Sequence, residues 1–292
     1  MEKFKGLGVA LVTPFQENGT IDMAGLQRLV EHNINNGTDY LVVQGTTGES
    51  ATLTKEEKRA VLDFVIEINN GKKPVVLGVG GNNTAEVVNS LKTLDLKGVD
   101  GILSVSPYYN KPSQEGIFQH FKMVAAATSL PIIMYNVPGR TMSNVQAQTT
   151  LRIARECKNI VAIKEASGNL EQIMEIILNK PKGFLVLSGD DALTLPHLAL
   201  GGDGVISVVG NAFPQRFSRM VHNGLEGNFE EARKDHYQLI ELIQTLFADG
   251  NPGGVKNVLK HLNICKEIVR LPLVPVNKEV AIRLEALTRM LK

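Results

Sequence analysis

"NIVAIKEASGNL", residues 159 to 170, is an apolar, partly β-branched run followed at once by charge and then by a helix start. Ile160, Val161, Ala162 and Ile163 have the composition of a strand buried on both faces. Lys164 and Glu165 come directly after, and a helix-like segment covers 168–179. A strand passing into a helix through a polar junction is half of a βαβ unit. The junction also poses a chemical problem, because burying an ammonium group is costly unless it is paired or loses its proton.

The unit recurs. Apolar, β-branched runs lie at 7–12, 40–43, 74–79, 100–105, 131–135, 160–163, 184–188 and 204–209. Helix-like segments separate them near 22–36, 54–69, 84–97, 113–127, 144–156, 168–179 and 191–200. Thr54 with Glu57 three residues on reads as a capping box, and Ser113 after Pro112 as another helix start. Strands alternating with helices predict a parallel sheet, either open and doubly wound or closed as a barrel. No G-x-G-x-x-G opens the first helix, which removes support for a dinucleotide-binding sheet. Eight units of fairly even length predict an eight-stranded parallel (β/α)8 TIM barrel over 1–225, with a C-terminal helical region over 226–292. In that region "FEEARKDHYQLIELIQTLF" is amphipathic at helical period, and Asn251-Pro252-Gly253-Gly254 breaks it before another helix.

Composition narrows the function. The chain has 292 residues and a net charge of +1, with no dense Lys/Arg tract, which argues against nucleic acid or an anionic membrane as partner. The apolar run in "MEKFKGLGVALVTPF" is short, ends in Thr13-Pro14 and has no small-residue cleavage pattern behind it. No stretch is long enough to span a bilayer, so the expected location is the cytoplasm. Cys157 and Cys265 are far apart without CxxC spacing, and the six histidines form no ligand pair. Buried thiols are expected, and neither a metal nor a cofactor.

In a barrel of this kind the chemistry sits where strands end and loops begin. Those positions hold Thr13, "QGTTGES" (44–50), "SPYYN" (106–110), "YNVPGRT" (135–141), Lys164-Glu165 and "SGDD" (188–191). A strand-end lysine can snorkel to solvent. Held in an apolar mouth, its pKa falls and the neutral amine attacks a carbonyl, which makes Lys164 a Schiff-base candidate. The iminium then acts as the electron sink, and no cofactor is needed. "GTTGES" is either a flexible turn or a small-carboxylate site, with backbone N–H groups and the Thr46 and Thr47 hydroxyls as donors. No Walker lysine follows it. Tyr108, Tyr109 and Tyr135 plug the mouth or carry protons. Arg140, on a Pro-Gly loop, is either solvated or grips a carboxylate.

Together these features resemble the dihydrodipicolinate synthase family of the pyruvate-dependent class I aldolase superfamily, which also contains N-acetylneuraminate lyase. The resemblance covers essentially the whole chain: "GVALVTPF", "GTTGESATL", "SPYYNKPSQEG", "YNVPGRT", "IKEASGNL", "LSGDD" and "GVISV" occur in the family's order. Arg140 and the form of the "PYYNKPSQEG" loop point to the synthase branch. Rival readings are a sugar-acid or 2-keto-3-deoxy-acid aldolase of the same superfamily, and a barrel that binds without catalysis. The intact set of Lys164, Tyr135, Tyr109, Thr46 and Arg140 argues against the second.

The resemblance implies that Lys164 forms the imine with pyruvate, whose carboxylate rests on Thr46-Thr47. The Ile206 backbone and Gly189 line the site, and Arg140 holds the carboxylate of aspartate semialdehyde. Tyr135, Thr46 and Tyr109 form the proton relay, with Tyr109 reaching a neighbouring subunit's site in a homo-oligomer, typically a tetramer built from dimers. Glu165 is given no catalytic step. The positions where lysine-sensitive relatives bind the end product are Ser50, Ala51, Asn82, Glu86, Tyr108, Lys55 and Lys58. The last two are often histidine in sensitive enzymes, so weak or no inhibition by lysine is expected.

Overall fold

The computed structural model describes residues 2–292. Eight strands pair in sequence order, all parallel, into a closed barrel: β1 (Gly6–Ala10), β2 (Tyr40–Val43), β3 (Val75–Gly78), β4 (Gly101–Val105), β5 (Ile132–Asn136), β6 (Ile160–Glu165), β7 (Leu185–Ser188) and β8 (Gly204–Ser207). The helices are α1 (Met23–Asn35), α2 (Lys55–Asn69), α3 (Thr84–Thr93), α4 (Gln114–Ala126), α5 (Pro138–Thr141), α6 (Ala147–Glu156), α7 (Leu170–Asn179), α8 (Thr194–Ala199) and α9 (Pro214–Leu225). Beyond these come α10 (Phe229–Leu246), α11 (Gly253–His261) and α12 (Lys278–Leu291).

Local chemistry starts the helices where the sequence reading expects. Thr54 and Glu57 form the reciprocal capping box of α2, and Ser113 accepts the Gly116 N–H to open α4. Strand residues divide between two apolar layers. Leu7, Val9, Leu41, Val43, Ile132, Met134, Ile160 and Ile163 pack outward against the helices. Ala10, Tyr40, Val42, Ile133, Tyr135, Ala162 and Ile206, joined by Phe4 from the 3-10 turn before β1, fill the interior. The floor is a T-shaped pair, Phe4 on Tyr40, with centroids 5.9 Å apart. Gly8 is required there, since a Cβ would lie 2.2 Å from the Tyr40 ring.

Several boundaries move. β1 ends at Ala10 because the Val12 N–H donates to the Asn211 side chain and leaves the ladder. α3 stops at Thr93, where Leu94 turns to extended backbone. Arg140 sits in the one-turn helix α5 rather than a loop. Lys164 and Glu165 belong to β6 itself rather than following it. Cys157 and Cys265 are both free and buried.

Candidate active site

The register of β6 decides which way Lys164 points. Ile132 of β5 pairs with Ile160, but Ile133 pairs with Ala162, so Val161 is an extra residue in β6. The bulge reverses the alternation. Ile163 packs outward, while Lys164 turns into the barrel mouth opposite Tyr135. The Lys164 ammonium is 4.4 Å from the Tyr135 ring centroid. Among the described residues no carboxylate reaches ion-pair distance of it.

Lys164 is only 6% exposed, and burial pushes its pKa down to about 8. The negative charge of Asp191 opposes that fall and the Arg140 guanidinium adds to it. At neutral pH roughly a tenth of the amine is then uncharged, against well under a hundredth for an ordinary lysine. Burial raises the Tyr135 phenol, and the Arg140 charge and hydrogen bonding with Thr46 pull it back. Lys164, Tyr135, Thr46 and Arg140 therefore share one electrostatic environment. Gly189 completes it, because a Cβ there would lie 3.0 Å from Lys164 Cε and 2.6 Å from Ala166 Cβ.

The 44–50 turn follows β2. Gln44 and Glu49 at its two ends adopt left-handed backbone, φ 61° and 52°, which costs a non-glycine residue roughly 1–2 kcal/mol. Tertiary contacts hold the turn: Thr13 Oγ1 donates to the Gly48 carbonyl at 2.6 Å, and Asn251 Nδ2 donates to Thr47 Oγ1 at 2.9 Å. Thr47 is buried and Thr46 is exposed. Ile206 is buried in β8 at 1% exposure.

Other expected residues lie further out. Arg140 is exposed rather than buried. Tyr108 and Tyr109 lie past the end of β4, and Tyr109 is 87% exposed, with no hydrogen bond to Thr46 or Tyr135 among the described residues. Asn82 Nδ2 donates to the Tyr108 carbonyl at 3.1 Å, which joins two of the proposed regulatory positions. Ser50 and Ala51 lie in a short 3-10 turn just before α2, which carries Lys55 and Lys58, and Glu86 lies in α3.

Glu165 faces away from the mouth. Its carboxylate accepts from Asn136 Nδ2, the Ser167 N–H and Gln172 Nε2, tying together the tops of β5, β6 and α7. Two groups escaped the sequence reading. Asp191, 2% exposed, accepts the Val208 and Val209 N–H groups, and burial pushes its carboxyl up to about 6. The second aspartate of "SGDD" was the available signal. Lys256, fully buried, pairs with Glu49 at 2.5 Å; nothing in the sequence around either residue announces a partner 207 positions away. Among the described residues no group of three or more His, Cys, Asp or Glu could hold a metal.

A closed (β/α)8 barrel with a buried, partly neutral lysine at its carboxyl-terminal mouth has the arrangement of a lyase of the class I aldolase type. Residues 3–291 match the family described as "Dihydrodipicolinate synthetase family". A 4-hydroxy-tetrahydrodipicolinate synthase of Flavobacterium psychrophilum is 52% identical over 291 residues, covering 100% of this chain and 99% of that protein. One of Parabacteroides distasonis is 56% identical over 271 residues, covering 93% and 91%. The crystal structure of dihydrodipicolinate synthase from Aquifex aeolicus superposes with a TM-score of 0.95 at 44% identity, covering 99% of this chain and 98% of that one. This chain belongs to the dihydrodipicolinate synthetase family.

Proposed function

We propose that this protein condenses pyruvate with L-aspartate 4-semialdehyde through a Schiff base on Lys164, giving 4-hydroxy-tetrahydrodipicolinate for lysine and diaminopimelate biosynthesis. The observation that carries this reading is the buried Lys164 amine, facing Tyr135 at the mouth with no ion pair among the described residues. The neutral amine adds to the pyruvate ketone, water leaves, and the iminium forms. Loss of a methyl proton gives the enamine, whose carbon adds to the aldehyde. The substrate amine then attacks the imine carbon, closes the ring and releases Lys164. Tyr135 moves protons at the reacting centre, and Thr46 and Tyr109 connect it to solvent. Thr46-Thr47 hold the pyruvate carboxylate, Arg140 the second carboxylate, and Gly189 and the Ile206 backbone line the pocket.

The protein works in the cytoplasm as a homo-oligomer, a tetramer built from dimers. The outward projection of Tyr109 supports a site completed by a neighbouring subunit. Among the described residues no helix is long and apolar enough to cross a membrane. The test is a coupled assay with both substrates, joined to borohydride trapping with pyruvate alone. Condensation activity and one reduced pyruvate adduct on Lys164 are expected. An adduct elsewhere, or none, overturns the mechanism.

A further inference from the structure

The residues that follow the barrel reach back across its mouth and grip the 44–50 turn. Asn251, nine-tenths buried, donates its side-chain N–H to Thr47 Oγ1 at 2.9 Å. Two residues of α11 and the segment after it fix the next part of the turn. Lys256 Nζ donates to Glu49 Oε1 at 2.5 Å and to the Ile268 carbonyl at 2.7 Å, and the Arg270 N–H donates to Glu49 Oε2 at 3.0 Å. Both Lys256 and Glu49 are fully buried at their side chains, so this grip is shielded from solvent. It holds Glu49 in its left-handed backbone, two residues from Thr47.

The direction of the Asn251 bond carries chemistry. A hydroxyl has one proton to give and two lone pairs to accept with. The Asn251 Nδ2 group that faces Thr47 is a donor only, so it occupies a lone pair and cannot take the proton. The Thr47 O–H is therefore left to donate elsewhere, which is the polarity an anion needs. An acceptor at position 251 would draw the same proton away and present the pocket with a lone pair.

We propose that Asn251 is a positioning residue for substrate-carboxylate recognition, fixing the Thr47 hydroxyl as a donor towards the anion. It rests on the reading that Thr47 holds the pyruvate carboxylate. Asn251 touches no reacting atom. It acts through Thr47, and the region beyond the barrel thereby takes part in choosing an α-keto acid over a neutral ketone.

The test compares Asn251→Asp, Asn251→Ala and Thr47→Val by borohydride trapping on Lys164. Two probes are used: pyruvate, and acetone as a methyl ketone without a carboxylate. Asn251→Asp is expected to raise the half-saturating pyruvate concentration about 10-fold or more, and Asn251→Ala about 3-fold, the scale of a lost hydrogen bond. The kcat at saturating pyruvate should change less than KM. Trapping of acetone should stay unchanged in both variants, and the Asp deficit should narrow as the pH is lowered and the new carboxyl gains a proton. Equal effects of Asp and Ala, or equal losses for pyruvate and acetone, would reduce Asn251 to a space-filling residue and overturn the inference. If Asn251→Asp fails to fold, an unchanged pyruvate-to-acetone preference in Asn251→Ala overturns it alone. Thr47→Val separates the layers: if it leaves pyruvate trapping intact, the carboxylate reading of Thr47 falls, whereas a Thr47→Val defect without the Asp/Ala difference removes only the role of Asn251.

Discussion

Tyr135 and Lys164 are direct partners across the β5–β6 ladder, with the ammonium 4.4 Å from the ring centroid. A phenol and an amine so placed can exchange protons through a bound substrate without either side chain leaving its strand. Strand-borne groups are held more rigidly than loop-borne ones, which suits a reaction that needs both in register. The electrostatics of this pair give the first measurable consequence.

Imine formation requires the neutral amine, so borohydride trapping with pyruvate should rise with pH to a plateau, with a midpoint near the pKa of about 8. The sign for Asp191 follows from its charge, which favours the ammonium form. Asp191→Asn should therefore shift the midpoint to lower pH. A wild-type midpoint near the ordinary lysine value of about 10.4 would contradict the burial argument.

Gly189→Ala places a Cβ against Lys164 Cε and Ala166 Cβ. Overpacking of this kind costs roughly 1–3 kcal/mol, so a lowered melting temperature is expected. The trapping rate should fall about 10-fold or more as the amine is displaced. A thermal melt with an unchanged trapping rate would show that the lysine stem tolerates the crowding.

Arg140→Ala should impair use of aspartate semialdehyde far more than imine formation with pyruvate. A charge-assisted hydrogen bond, discounted for the exposure of Arg140, sets the loss at about 10-fold in kcat/KM for the aldehyde. Because Arg140 depresses the Lys164 pKa, the trapping midpoint should also move up. Equal damage to both steps, read by separate trapping and condensation assays, would make Arg140 structural.

Tyr109 is 87% exposed and makes no hydrogen bond to Thr46 or Tyr135 of its own chain among the described residues. Mixing inactive Tyr109→Phe and Lys164→Ala chains should restore part of the activity, because one class of hybrid site regains both groups. Absence of recovery in verified mixed oligomers would place the relay within a single chain.

Free lysine should inhibit weakly at millimolar concentration. Lys55 and Lys58 stand one turn apart on α2, and their ammonium groups repel the ammonium of the ligand. Burial lowers the Lys58 pKa, and neither lysine offers the ring of a histidine. A sub-millimolar midpoint in an inhibition curve, or lysine ordered beside Tyr108 in a crystal soak, would overturn this expectation.

The sequence alone determined the eightfold alternation, the capping of α2 and α4, and the candidate lysine. These are written in local periodicity and in residue types at strand ends, which need no knowledge of distant partners. The phase of β6 is different. Strict alternation from Ile160, which packs outward, would send Lys164 outward as well. Only pairing with β5 inserts the bulge at Val161 that turns it into the mouth. Register belongs to the hydrogen bonds between two strands and cannot be read from one. The same holds for Asn251 on Thr47 and Lys256 on Glu49, contacts across 204 and 207 residues. No period or motif encodes them, because closing the barrel and docking α11 are what bring their side chains together.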